Sequence, residues 1–245
     1  MKKRVALITG STSGIGAAIA RRLAAEGVAV ALHSHDSVRA GEMLAEELPG
    51  ASYTRADLSN ERDTRLLVRN VLEAHGQLDI LVNNAGISEV IPHGNLRAAS
   101  PEKWQRMYAV NVIAPWILVT EAEEALRTAA KRGAPGCIIN MSSHAGVRPK
   151  GASIPYAVSK AALNHLTKLL SVALAPDVRV NAIAPGLVDT PMTQSWETAQ
   201  EIWRSRAPMR RAALPEEIAD IASMLVNSGY LTGEVIVVDG GLNLM

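Results

Sequence analysis

Val5-Ala6-Leu7-Ile8-Thr9 runs straight into Gly10-Ser11-Thr12-Ser13-Gly14-Ile15-Gly16, and Ala17-Ala18-Ile19-Ala20 follows. An aliphatic run, a glycine-rich turn and an alanine-rich amphipathic run read, in that order, as strand, turn and helix. Glycine lets the turn take positive φ and lets a ligand approach the backbone closely. A helix opening near Gly14 points free N–H groups and a partial positive charge at the turn, which suits a pyrophosphate. Ser11 and Ser13 hydroxyls can add donors. The spacing is G-x-x-x-G-x-G, so neither the G-x-G-x-x-G fingerprint nor a Walker loop is matched. On this stretch alone, a strand-helix turn without a ligand stays open.

The same alternation continues outward. Strands are expected at Val5–Thr9, Val28–His33, Ser52–Arg55, Ile80–Asn83, Cys137–Met141, Arg179–Ala184 and Glu234–Val238. Near-continuous apolarity marks them as covered on both faces, as in a parallel sheet. Helices are expected at Gly14–Glu26, Ser37–Leu48, Glu61–His75, Pro101–Lys131, Pro155–Ala173 and Pro215–Ser228. The fold class is therefore α/β: one doubly wound, Rossmann-like parallel sheet of about seven strands with helices on both faces. No linker, charge block or repeat divides residues 1–245, so a single domain is expected. Residues 190–214 fit the alternation poorly and read as an insertion over one end of the sheet. Trp196, Trp203, Met192 and Met209 there suit either a substrate lid or packing of the insertion.

Composition narrows the partners. A net charge of +1 gives no reason to expect a nucleic acid or an acidic membrane. Cys137 is the one cysteine of the chain, so no internal disulfide forms, which fits a reducing cytoplasm. No stretch approaches the ~18 apolar residues of a membrane span. The six histidines show no metal-ligand spacing, and no metal is expected.

The chemistry is carried further along the chain. Tyr156 and Lys160 lie four apart and share a helix face. A free phenol titrates near ~10, and a nearby ammonium favours the phenolate and brings it toward working pH. Ser143, just past the fifth strand, can donate a hydrogen bond to a carbonyl oxygen as charge develops there. Each also has an ordinary structural reading, as a chance helical pair and a strand-end turn. Pro115 has no N–H for the Asn111 carbonyl, so a kink is expected in the Pro101–Lys131 helix. His144 beside Ser143 does not suggest a hydrolase, because adjacent residues of extended chain point apart and no G-x-S-x-G elbow is present.

Taken together, Thr9–Gly16, Asp57-Leu58, Asn83-Asn84-Ala85-Gly86, Asn111, Ser143, Tyr156-Ala157-Val158-Ser159-Lys160, Pro185-Gly186 and the final Asp239-Gly240-Gly241 resemble the short-chain dehydrogenase/reductase family over essentially the whole chain. The resemblance implies an oxidoreductase that moves hydride between a nicotinamide cofactor and a ketone or secondary alcohol. It is nearest to 3-oxoacyl-acyl-carrier-protein reductases, and sugar, polyol and small cyclic alcohol dehydrogenases share it. It implies Tyr156 as general acid in reduction, Lys160 as ribose ligand and modulator of the tyrosine, Ser143 as catalytic serine within S-x-x-G, and Asn111 as holder of a relay water. Gly10, Ser11, Ser13, Gly14, Ile15 and Gly16 fall at the pyrophosphate. Asp57 and Leu58 fall at the adenine, and Asn84, Ala85 and Gly86 at its ribose. Pro185, Gly186, Val188 and Thr190 fall at the nicotinamide. Asn83 reads equally as a brace between strands. Homotetramers are common in the family.

The second strand ends His33-Ser34-His35-Asp36-Ser37. The position of the NAD-selecting acid falls on neutral Ser34, and His35 stands where NADP users often carry arginine. NADP(H) is expected, with NAD(H) the alternative through Asp36, whose competing role is to cap the next helix. A carrier protein would need a basic patch; Lys131-Arg132, Arg148, Lys150 and Arg210-Arg211 are the candidates. A dinucleotide sensor without turnover is the reading from another class. Such proteins tend to lose part of the tyrosine-lysine group, and Ser143, Tyr156 and Lys160 are all present.

Overall fold

The computed structural model describes residues 3–245. Seven strands form one sheet: β1 (Val5–Ile8), β2 (Ala29–Ser34), β3 (Ser52–Arg55), β4 (Ile80–Asn83), β5 (Gly136–Met141), β6 (Val178–Pro185) and β7 (Val235–Val238). Their order is β3-β2-β1-β4-β5-β6-β7, and every pairing is parallel. The order reverses between β1 and β4, the switch point outside which ligands bind in sheets of this kind.

Alternate strand residues feed two cores. Ala6 and Ile8 face α1 (Gly14–Ala25), α2 (Val38–Glu47) and α8 (Pro215–Asn227). Val5 and Leu7 face α3 (Glu61–His75), α5 (Ala114–Ala130) and α6 (Ile154–Leu174). Each fully buried Ile or Leu contributes about 1.5–3 kcal/mol of hydrophobic stabilisation. Among the described residues, no helix is long and apolar enough to cross a membrane.

The long helix expected at residues 101–131 is in fact two helices joined by a π turn. α4 (Pro101–Tyr108) and α5 flank Ala109–Ile113, where the Ala114 N–H bonds the Ala109 carbonyl five residues back. One extra residue thus enters the ladder just before Pro115 and widens the helix there. Asn111 lies in the middle of this turn, 1% exposed.

The start of α6 is specified locally. Ser153 caps it by accepting the Tyr156 N–H, and Pro155 occupies the first turn, where its missing N–H costs nothing. Tyr156 is thereby fixed in the first turn. Asn83 is a brace: its amide donates to Asn140 Oδ1 at 2.8 Å, and Asn140 donates to Thr167 of α6 at 2.9 Å. Residues 189–212 leave the sheet as a closed excursion. Val188 bridges Ala213 at its base, and the excursion carries α7 (Glu197–Arg206).

Candidate active site

A cleft of about 1160 Å³ opens along the C-terminal ends of the strands. It exceeds the roughly 300–1,000 Å³ of ordinary small-molecule pockets, which leaves room for a dinucleotide and a second molecule.

At one end lies the glycine turn. Gly10 and Gly14 hold φ of 61° and 51°, which side-chain-bearing residues adopt only with strain. Thr9 Oγ1 accepts the N–H groups of Asn84 and Ala85, both at 3.0 Å, and so ties β1 to the loop after β4. Asn84 returns its amide to the carbonyls of Thr9 and Gly10. Ser13 precedes α1 without capping it by its side chain, so the first N–H groups of the helix stay available to the cleft. Gly10, Ser13, Gly14, Ile15 and Gly16 all line it, together with Thr12, which sequence reasoning passed over.

Ser11 departs from expectation. Fully buried, it accepts the His33 N–H at 2.9 Å, so its hydroxyl stitches β1 to β2 and does not line the cleft. His33 is the other brace here. Nδ1 accepts the Gly10 N–H at 3.1 Å, and Nε2 lies 3.1 Å from the Ala56 carbonyl, to which its proton points. Burial pushes this imidazole down to about 4, so it stays neutral and holds both bonds at neutral pH.

Beyond β2, Ser34 is turned to Tyr53, 2.8 Å away. Asp36 does not cap α2. Ser37 occupies the cap position, and the Asp36 carboxylate lies 3.1 Å from His35 Nδ1. His35 Nε2 faces Asp57 at 3.8 Å. Arg55 donates to the His35 carbonyl at 3.0 Å, which brings a guanidinium to the turn after β2. Asp57 accepts from the Ser59 hydroxyl and N–H, which hold its carboxyl below the usual range, and Leu58 lines the wall next to it.

Midway along the cleft Ser143, Tyr156 and Lys160 come together. Lys160 is 4% exposed, its Nζ 2.8 Å from the Met141 carbonyl and 5.8 Å from the Tyr156 ring centre. Burial lowers the ammonium to about 8. Burial also raises the Tyr156 phenol, offset in part by a hydrogen bond with Ser143. The lowering of the phenol expected from the lysine is not seen: desolvation raises it, and Ser143 supplies the opposing pull. Gly146 explains the S-x-x-G spacing: a Cβ there would lie 2.7 Å from the Lys160 carbonyl carbon. Only glycine lets the loop carrying Ser143 press against the backbone of α6.

Asn111 is behind this group. It accepts the Ile87 N–H, donates to the Ile87 carbonyl and to Ser159 Oγ, and so joins the π turn, the loop after β4 and α6. Ala85 and Gly86 line the cleft in front of it, and Pro185, Gly186, Val188 and Thr190 line the facing side. The far end is walled by Val90, Ile91, Met192, Trp196, Ile202 and Trp203. Met209 is instead exposed and rests beside Gly240. Of the basic candidates, Lys150 lines the cleft. Arg132 pairs with Asp79 at the start of β4, at the opposite end of the sheet, and Arg211 pairs with Glu217.

A family profile described as "Enoyl-(Acyl carrier protein) reductase" matches residues 10–243. The chain is 47% identical over 244 residues to "Granaticin polyketide synthase putative ketoacyl reductase 2" of Streptomyces violaceoruber, covering 98% of this chain and 96% of that one. It is similar to the structure of 3-ketoacyl-(acyl-carrier-protein) reductase from Brucella melitensis complexed with NADH, with a TM-score of 0.90, 32% identity and 98% of each chain covered. It is equally similar to the Pseudomonas aeruginosa RhlG/NADP active-site complex, with a TM-score of 0.90, 33% identity, and 98% and 96% of the two chains covered.

Proposed function

The chain belongs to the short-chain dehydrogenase/reductase family as an NAD(P)-dependent reductase of ketones, and from that premise we propose that it reduces the keto group of a 3-oxoacyl thioester, preferring NADP(H). The observation that carries the substrate reading is the apolar far end of the cleft. Val90, Ile91, Met192, Trp196 and Ile202 suit an acyl chain, with His93, Glu197 and Arg206 as polar groups interspersed along the same wall.

The residues fit a dinucleotide. The uncapped start of α1 with Gly10, Thr12, Ser13, Gly14, Ile15 and Gly16 would hold the pyrophosphate. Asp57 and Leu58 would flank the adenine, Asn84, Ala85 and Gly86 its ribose, and Pro185, Gly186, Val188 and Thr190 the nicotinamide end. When bound, the nicotinamide supplies or accepts the hydride. Tyr156 donates the proton to the carbonyl oxygen; its raised pKa keeps it protonated, and so competent as an acid, at neutral pH. Ser143 donates a hydrogen bond to the same oxygen. Lys160 binds ribose hydroxyls, and its charge favours the phenolate that Tyr156 becomes. The Asn111 carbonyl holds the water that returns a proton. Residues 190–214 serve as a substrate lid. Ile113 of the π turn, Trp116 of α5, and Val158, Leu169 and Val172 of α6 are exposed apolar residues, which supports assembly into a homotetramer.

The preference for NADP(H) rests on neutral Ser34 and on the His35 imidazole and Arg55 guanidinium beside the turn after β2. Initial rates with acetoacetyl-coenzyme A and either NADPH or NADH decide it. NADPH is expected to be the faster, Asp36→Ala to leave NADPH affinity intact or improve it, and His35→Ala to weaken it by about tenfold, the size of one charge-assisted contact. A large loss of NADH turnover in Asp36→Ala, with NADPH weak throughout, would make Asp36 the ribose ligand and the enzyme NAD-dependent.

A further inference from the structure

His144 follows Ser143 in sequence, yet its side chain belongs to a different contact. The residue is 5% exposed, and its Nε2 is buried without a hydrogen-bond partner, 3.5 Å from Asp239 Oδ2. Asp239 is itself committed to the C-terminal turn, accepting the N–H groups of Gly241 at 3.0 Å and Asn243 at 2.6 Å. The imidazole meets Trp203 of α7 edge-on, with ring centres 6.1 Å apart and planes at 82°. Trp203 in turn lies so close to Gly186 that a Cβ there would come within 2.9 Å of the indole. Three segments of different origin, the Ser143 loop, the C-terminal turn and the excursion carrying α7, thus converge on one buried ring. Burial, with Lys150 and Arg148 nearby, lowers the imidazole against the opposing pull of Asp239 and keeps it neutral.

We propose that His144 is a positioning residue: seated beside Asp239, it latches α7 onto the catalytic loop through Trp203 and so holds the ketone substrate against Ser143 and Tyr156. Its effect on the substrate rests on the active site proposed above; the latch itself does not. Arg204 and Arg206 are exposed on α7, so trypsin reports release of the helix from the intact chain directly. His144→Ala is expected to speed cleavage after Arg204 and Arg206 by about three- to tenfold, the worth of one edge-on aromatic contact. KM for acetoacetyl-coenzyme A should rise by a similar factor, with kcat less affected and NADPH affinity unchanged. His144→Phe restores a ring edge and should return both protection and KM toward the parent. Trp203→Ala, which also removes a cleft wall and the packing on Gly186, should cost at least as much as His144→Ala, and adding His144→Ala to it should change little. Unchanged cleavage and KM in His144→Ala would overturn the latch. So would a loss of thermal stability that His144→Phe fails to rescue, or additive effects in the double variant. If the parent turns over no ketone, the substrate reading fails, and the cleavage rates still decide the latch.

Discussion

Tyr156→Phe is expected to lower kcat/KM for ketone reduction by about 10²–10⁴-fold, the range contributed by a positioned general acid. Affinity for NADPH should be nearly unchanged, because the variant keeps the ring, the Ser153 cap and the packing of α6 and loses only the hydroxyl. The pH profile tests the same group. Burial keeps the phenol protonated at neutral pH, and the Lys160 cation that favours the product phenolate is lost as pH rises through about 8. Reduction should therefore decline on the alkaline side with a limb near that value. A Phe variant within about tenfold of the parent would remove Tyr156 from the proton path.

Gly16→Ala carries the second large effect, and here the cause is steric. A Cβ at residue 16 would lie 2.2 Å from the Gly10 carbonyl oxygen and 2.5 Å from Asn84 Nδ2. The first is backbone, and the second is held by two hydrogen bonds to the turn, so neither can yield without opening the glycine turn. Overpacking of this kind costs about 1–3 kcal/mol, and the distortion falls where the pyrophosphate would sit. A lower melting temperature and at least a roughly tenfold weaker NADPH affinity are expected, since 1.4 kcal/mol is a factor of ten. Gly94→Ala is the control, because nothing lies within 4 Å of its added methyl. Equal behaviour of the two variants would show that the turn tolerates rearrangement.

The sheet and most of its helices were legible because the central strands are largely apolar runs and the helices between them keep an amphipathic period. The site was legible where local sequence dictates local structure. Pro155 after Ser153 starts α6 at one place, and Gly146 leaves space for the backbone of Lys160. What was not legible depends on neighbours distant in the chain. Ser11 looked like a phosphate donor, but its hydroxyl instead accepts the N–H of His33 on the next strand. Pro115 announced a disturbed helix without specifying that one extra residue would enter the turn. Asp36 was weighed as a helix cap, and it is drawn instead to His35. His144 and Asp239 stand 95 positions apart, and nothing local to either marks their approach. Lys131-Arg132 fell at the wrong end of the sheet because α5 runs back from the cleft to the start of β4.

The most direct test of the central claim is to incubate the purified protein and NADPH with an acetoacetyl thioester and, separately, the protein and NADP⁺ with a polyol such as ribitol, and to identify the products by mass spectrometry. The 3-hydroxyacyl thioester should form, with kcat/KM at least about a hundredfold above that for the polyol, because the substrate end of the cleft is lined mostly by apolar side chains. Polyol oxidation at equal or greater efficiency, with the thioester recovered unchanged, would contradict the account.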